Sequence, residues 1–196
     1  GDVISSALNI VNWRFALSEI SYSDLLGGQP SPLRHFWSLA IEEQLYLGLP
    51  LLITLGLRRS HRTLAIWIAV LVATSLLATL LTTDRDLVYN GTHTRAGEVL
   101  LGVLVAVGLR RRLRSAVVEQ RPPRRKSIDV AAGAIAWIGF AALVGWTSID
   151  QAWIYRGGLL GVAGLSAVLI VLAADERFPA CLLEATPLVW LGRVSY

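Results

Sequence analysis

The chain has 196 residues, 54% hydrophobic and 16% charged, with a formal net charge of +4. Its mean hydropathy of +0.56 is above that of an ordinary soluble domain, and the charges fall in clumps that leave long stretches with none. One cysteine, Cys181, excludes a disulfide framework or a cysteine-based metal site within the chain, and the three histidines lack HExxH spacing.

In chain order, Gly1–Val11 reads as the end of a helix too short to span a bilayer. A loop follows to about Arg34, marked by "GGQPSP". Apolar helices are then expected at about 36–57, 63–83, 96–109, 128–147 and 157–174. Three stretches carry no charge: "TLAIWIAVLVATSLLATLLTT" (Thr63–Thr83), "VAAGAIAWIGFAALVGWTSI" (Val130–Ile149) and "GGLLGVAGLSAVLIVLAA" (Gly157–Ala174). Each matches the hydrocarbon thickness at a rise of about 1.5 Å per residue. The third span is short, so its helix starts earlier or tilts little. The GVAG within Gly161–Gly164 belongs to helix packing, and no glycine loop suited to phosphate is present. "PLVWLGRVSY" reads as the first turns of a further span. The expected fold is all-α: a polytopic transmembrane helical bundle with about five full spans and two partial ones. It forms one partial domain over 1–196, cut at both ends.

The basic clusters set the orientation. "RRSHR" (Arg58–Arg62) joins the first two full spans, and "RRRLRSAVVEQRPPRRK" (Arg110–Lys126) joins the third and fourth. With alternating helices both fall on one side, which the positive-inside rule makes cytoplasmic. This accounts for the positive charge without nucleic acid. The proline pair makes the longer loop partly irregular, and contact with anionic lipid is a secondary reading of its charge. Trp13–Arg34, Asp84–Thr94 and Ser148–Arg156 then lie outside. Trp13, Trp37, Trp146 and Trp153 gather near that interface as an aromatic belt.

Two polar constellations start at the outer face. In "SPLRHFWSLAIEEQLYLGLPLLITLGL" (Ser31–Leu57), helical winding puts His35, Ser38, Glu42 and Tyr46 within about 80° of arc, with Trp37 and Gln44 on another side. A carboxylate on a lipid-facing helix costs several kcal/mol, so Glu42 should face a cavity or a partner. The alternative is an interhelical hydrogen-bond network that only fixes packing. Glu43 is expected to pair structurally with a basic group. The second constellation is "VYNGTHTRAGEVLLG" (Val88–Gly102). Arg95 has three candidate partners: Glu98 one turn on, Glu42, or an anionic substrate group met by its planar fork. His93 reads as a loop residue. Asn90-Gly91-Thr92 is a formal glycosylation sequon, read as unused. The charge rule puts both constellations at one membrane depth, which argues for one shared site.

These residues resemble the membrane-bound acyltransferase family 3. "HFWSLAIEEQLYLGLP" is similar to its His-x-Trp-Ser-Leu-x-x-Glu-x-Gln-Phe-Tyr pattern and following proline, through His35, Trp37, Ser38, Leu39, Glu42, Gln44, Tyr46 and Pro50, with Leu45 replacing Phe. "YNGTHTRAGEVLLG" resembles a second landmark through Tyr89, Gly91, Thr92, Thr94, Arg95 and Gly102; His93 stands where Asp is common. "LGRVSY" (Leu191–Tyr196) resembles a third.

The resemblance implies acyl transfer, commonly acetyl, onto a hydroxyl of an envelope glycan, lipid-linked sugar or small molecule. It implies a cytoplasmic acyl-CoA as donor substrate, no bound cofactor or metal, and a place in the plasma (inner) membrane. It also implies a catalytic histidine upstream of this chain, which His35 does not replace, and allows for a soluble esterase-like transferase domain elsewhere in the protein. Carried residue by residue, Glu42, Arg95 and His35 are the catalytic candidates. Ser38, Trp37, Gln44, Tyr46, Tyr89, Thr92 and Thr94 are the substrate-binding candidates. Acyl transfer needs a base for the hydroxyl proton and a positive group for the oxyanion. Glu42 would orient the histidine or bind the acceptor, and Arg95 would hold a thioester oxygen, a phosphate or an acceptor group. Two rival readings are a transporter or flippase using intramembrane Glu and Arg, and an inactive scaffold of an envelope-assembly complex.

Overall fold

The computed structural model describes residues 2–17, 33, 35–119, 127–148, 151–174 and 186–194, and among these no strand occurs. The helices are α1 (Asp2–Ala7), α2 (Val11–Ala16), α3 (Phe36–Arg59), α4 (His61–Leu81), α5 (Arg85–Asn90), α6 (Thr92–Glu119), α7 (Ser127–Trp146), α8 (Gly158–Ala174) and α9 (Thr186–Val194). A 3₁₀ turn, Ile154–Arg156, precedes α8. The "GGQPSP" loop, residues 120–126 and 175–185, Cys181, Ser195 and Tyr196 lie outside the described residues.

Three helical stretches are long and apolar enough to cross a membrane: Phe36–Arg59, His61–Leu81 and Arg85–Arg110. The α3 helix has 24 residues, about 36 Å of rise, and α4 has 21, about 32 Å, each sufficient for the hydrocarbon layer. Shorter apolar stretches, Gly133–Trp146 and Gly158–Leu172, lie in α7 and α8. The third expected span does begin earlier than 96: α6 starts at Thr92, which places His93 in helix rather than loop. The expected loop from Val11 is also corrected, because Val11–Ala16 forms a second short helix. Asn9 takes a left-handed conformation, φ 54°, and breaks α1 from α2; asparagine tolerates that region better than most residues.

The chain divides into two compact units, Gly1–Leu104 with Ala152–Leu160, and Val105–Gln151 with Gly161–Tyr196. In the first, α3 and α4 form a hairpin through Ser60. Ser60 is extended, and its hydroxyl accepts the Thr63 amide at 3.0 Å, capping α4. Gly56 sits where a Cβ would come within 2.7 Å of Leu64 Cδ1 and 3.1 Å of its Cα, so the two helices approach closely at this end. Ala40 and Ile41 of α3 and Leu64 and Ile68 of α4 are buried. Beyond α4, the Asp84 carboxylate caps α5 by accepting the Asp86 amide at 2.9 Å. The Arg85 guanidinium lies 5.4 Å from the Tyr155 ring centroid, linking α5 to the 3₁₀ turn. Gly157 after that turn has φ +89°, a conformation glycine adopts at little cost. In the second unit, Trp137 and Phe140 on α7 meet edge to face at 6.4 Å.

The outward-facing side of α4, with Ile66, Trp67, Val70, Leu77 and Leu80, is exposed and apolar, as a lipid-facing surface is. The tryptophans expected in one aromatic belt divide in two. Trp146 and Trp153 are exposed, whereas Trp13 and Trp37 are half-buried and make ring contacts.

Candidate functional site

The helical periodicity of α3 is as expected, and the face it buries is the opposite one. His35, Ser38, Glu42 and Tyr46 do share a side, but all four are exposed, Tyr46 at 57%. Among the described residues the carboxylates of Glu42 and Glu43 have no ion pair, so neither the Glu42–Arg95 alternative nor the expected basic partner of Glu43 occurs there. Trp37 and Gln44, about half a turn round from Glu42, face the body of the unit together with Ala40 and Ile41.

The two constellations therefore meet, through Trp37 and Gln44 rather than Glu42. Arg95 takes the first of its three candidate partners: Nη1 lies 2.9 Å from Glu98 Oε1, one turn along α6, with the side chains 19% and 21% exposed. The guanidinium carbon stands 5.7 Å from the Trp37 ring centroid and 5.5 Å from that of Tyr89. The two rings themselves are 4.7 Å apart at 43°. One carboxylate and two aromatic faces thus fix the cation.

A few residues along, Gln44 is the centre of a closed polar network. Its Nε2 donates to the Asn9 carbonyl at 2.6 Å and to Asn12 Oδ1 at 2.9 Å, and its Oε1 accepts the Thr92 hydroxyl at 2.6 Å. Asn12, 0% exposed, donates from Nδ2 to the Asn90 carbonyl at 3.0 Å and to Thr92 Oγ1 at 2.9 Å. Both amide side chains use donors and acceptor together, which is what burial of such groups requires. The network joins α2, α3 and the α5–α6 corner. Next to it Trp13 stacks on His93, centroids 5.4 Å apart and planes 9° from parallel.

Thr94 lies inside that corner. It is 6% exposed, and its hydroxyl is within 2.8 Å of the Gly91 carbonyl and 2.9 Å of the Val88 carbonyl. Its own carbonyl accepts the Ser75 hydroxyl of α4 at 3.0 Å, and Ser75 Oγ accepts the Gly97 amide at 2.9 Å. Thr79 Oγ1 adds a bond to the Ser75 carbonyl at 2.9 Å. Beside these hydroxyls and Arg95 is a small crevice of about 10 Å³, the room of one water. Ser75, Thr79, Arg95 and Glu98 line it together with the apolar Leu76, Val88, Ile154, Leu159 and Leu160.

Sequence reasoning missed Asn12, Ser75 and Thr79. A signal existed for the last two: Thr74, Ser75 and Thr79 are the hydroxyls inside an otherwise apolar run, and Ser75 and Thr79 stand four residues apart on one helix face. Asn12 sits in a short segment without periodicity and gave none. Among the described residues no group of three or more His, Cys, Asp or Glu is placed to hold a metal.

With this geometry in place, comparison with known proteins gives a consistent direction. Along its whole length the chain is similar to peptidoglycan O-acetyltransferases. The peptidoglycan O-acetyltransferase OatA of Listeria monocytogenes is 35% identical over 210 residues, which cover 100% of this chain and 32% of that protein. The O-acetyltransferase OatA of Staphylococcus aureus is 32% identical over 211 residues, with the same coverage of 100% and 32%. YrhL of Bacillus subtilis is 36% identical over 204 residues, again covering 100% of this chain and 32% of the relative. The chain spans about a third, 32%, of the length of these curated relatives. No family model matches the chain. No solved structure matches it.

Proposed function

We propose that the chain is a membrane-embedded part of an O-acetyltransferase that esterifies a hydroxyl of a cell-wall glycan. The observation that carries this reading is the similarity, over the full chain, to the OatA proteins named as O-acetyltransferases. The finer topology is five spans in the plasma membrane, with Arg58–Arg62 and Arg110–Lys126 on the cytoplasmic side. The donor is an acyl-CoA on that side, the acceptor is an envelope glycan on the other, and a soluble transferase domain elsewhere in the protein is a partner in delivery.

In the reaction the acceptor oxygen forms a new ester C–O bond and the thioester C–S bond breaks. The hydroxyl proton passes to a base, and the thiolate leaves and is protonated. Arg95 is the positive group for the oxyanion, held in place by Trp37, Tyr89 and Glu98. Glu42 lies on the exposed polar side of α3 with His35, Ser38 and Tyr46. We assign these four to the acceptor side, where Glu42 binds the hydroxyl or orients a histidine outside this chain. Gln44, Thr92 and Thr94 have their hydrogen-bonding groups committed within the fold, and we assign them to support rather than substrate contact.

The test uses the full-length protein expressed in bacteria whose peptidoglycan lacks O-acetyl groups. Base-released acetate from purified peptidoglycan should appear with the intact protein. It should fall to background with Arg95→Ala at equal membrane abundance. No acetate from the intact protein would overturn the proposal.

A further inference from the structure

Three elements carry the groups around the Arg95 guanidinium: α3 supplies Trp37, α5 supplies Tyr89, and α6 supplies Arg95 itself with Glu98. One side chain from a fourth element bonds to all three. Asn12 of α2 donates from Nδ2 to the Asn90 carbonyl at the end of α5 and to the Thr92 hydroxyl at the start of α6, and its Oδ1 accepts from Gln44 Nε2 of α3. Each bonded atom is close in sequence to a group at the cation. Gln44 and Trp37 stand two turns apart on one face of α3, Tyr89 precedes Asn90, and Arg95 lies one turn beyond Thr92. Val11 and Ala16 of α2 are also buried, so apolar contact already seats this helix. The Asn12 amide adds direction rather than apolar area.

We infer that Asn12 is a positioning residue for acyl transfer: its amide fixes α3, α5 and α6 relative to one another and so sets the place of the Arg95 guanidinium beside Trp37 and Tyr89. The inference rests on the acyl-transfer reading above, in which Arg95 meets the oxyanion. Asn12 acts through the α5–α6 corner and through Gln44, not by contact with the reacting atoms. Thr94 holds the same corner locally, through the Val88 and Gly91 carbonyls, but these bonds do not extend to α3. The link from α3 to the corner runs through Gln44, Asn12 and Thr92. Hydrogen bonds have narrow limits of distance and angle, so this link sets a register where apolar contact alone would allow sliding. That register matters to the chemistry, because a catalytic group displaced by about 1 Å can cost about 100-fold in rate.

The experiment supplies full-length protein in membrane vesicles with acetyl-coenzyme A and peptidoglycan, and measures kcat and KM per folded molecule. Asn12→Ala should lower kcat by about 100-fold with little change in KM for peptidoglycan, the pattern of an interaction felt only in the transition state. Thr92→Val removes one hydroxyl from the link and should lower kcat by a smaller factor, whereas Thr92→Ser keeps the hydroxyl and should restore it. Gly56→Val disturbs the other end of α3 and should leave kcat per folded molecule unchanged. Unchanged kcat in both Asn12→Ala and Thr92→Val overturns the positioning role. An equal fall in Gly56→Val also overturns it, because lost stability would then be the cause. If Asn12→Ala does not fold, the contrast between Thr92→Val and Thr92→Ser decides alone. Failure of the unchanged protein to transfer acetyl sinks the acyl-transfer reading itself.

Discussion

Gln44 of α3 and Asn12 of α2, 32 residues apart in the chain, meet through a 2.9 Å hydrogen bond from Gln44 Nε2 to Asn12 Oδ1. Both are also bonded to the Thr92 hydroxyl at the start of α6. Three helices thus share one small polar knot, and removing one member strands the others. Leaving a buried amide unsatisfied costs about 1–3 kcal/mol. Asn12→Leu and Gln44→Leu should each lower the thermal midpoint of the purified protein. The double variant should lose less than the sum, because the two residues act as one network. Strict additivity would show that they do not.

The Arg95–Glu98 pair predicts an asymmetry of a similar kind. Removing the carboxylate alone, as in Glu98→Leu, leaves a cation among aromatic rings and costs about 3–5 kcal/mol. Replacing both, Arg95→Met with Glu98→Leu, should recover much of that stability while abolishing acetylation. Comparing detergent-extracted protein by thermal unfolding checks the first outcome, and acetate release checks the second. A double variant less stable than Glu98→Leu would contradict the account.

For Glu42 the sign is reversed. The residue is exposed and has no hydrogen bond or ion pair among the described residues, so Glu42→Gln should shift stability by no more than about 0.5 kcal/mol. Acetate on peptidoglycan should nevertheless drop by at least about 100-fold if the carboxylate takes part in proton handling. Normal acetylation removes Glu42 from the mechanism.

Gly56→Val tests the α3–α4 hairpin. The new side chain would meet Leu64 Cβ within 2.9 Å and its Cα within 3.1 Å, a backbone approach that rotamer changes do not relieve. Overpacking of this kind costs about 1–3 kcal/mol. Leu64→Ala in the same chain should restore only part of the lost thermal midpoint, since the contact with Cα persists.

The Asn90-Gly91-Thr92 sequon should stay unmodified. Asn90 is 3% exposed and its Nδ2 donates to the Asp86 carbonyl at 3.0 Å. Expression in a glycosylating host should give no glycosidase-sensitive mass change at this position. Such a change would mean that α5 opens before the chain packs.

Much of this architecture is legible from residue order alone. The length of the apolar runs places α3 and α4, and the i,i+3 spacing anticipates the Arg95–Glu98 contact. The orientation of α3 about its own axis is not legible. Periodicity groups His35, Ser38, Glu42 and Tyr46 together, but which side is buried depends on neighbours. Here Asn12 and Thr92 draw Gln44 inward, and Arg95 draws Trp37. The α1–α2 break is hidden for a different reason: it depends on one residue, Asn9, adopting a positive φ, and "LNIVNW" carries no glycine or proline to mark it.

The Ser75–Gly97 contact has a consequence for handling the protein outside its bilayer. Lipid tails solvate leucine as well as another helix does, so apolar matching alone gives α4 little preference for α6. The serine hydroxyl, bonded to the Thr94 carbonyl and the Gly97 amide at once, supplies that preference through groups that a surfactant tail cannot replace. This pairing should therefore survive exchange between detergents of different chain length, and preparations in short- and long-tailed micelles should retain the same α4–α6 register.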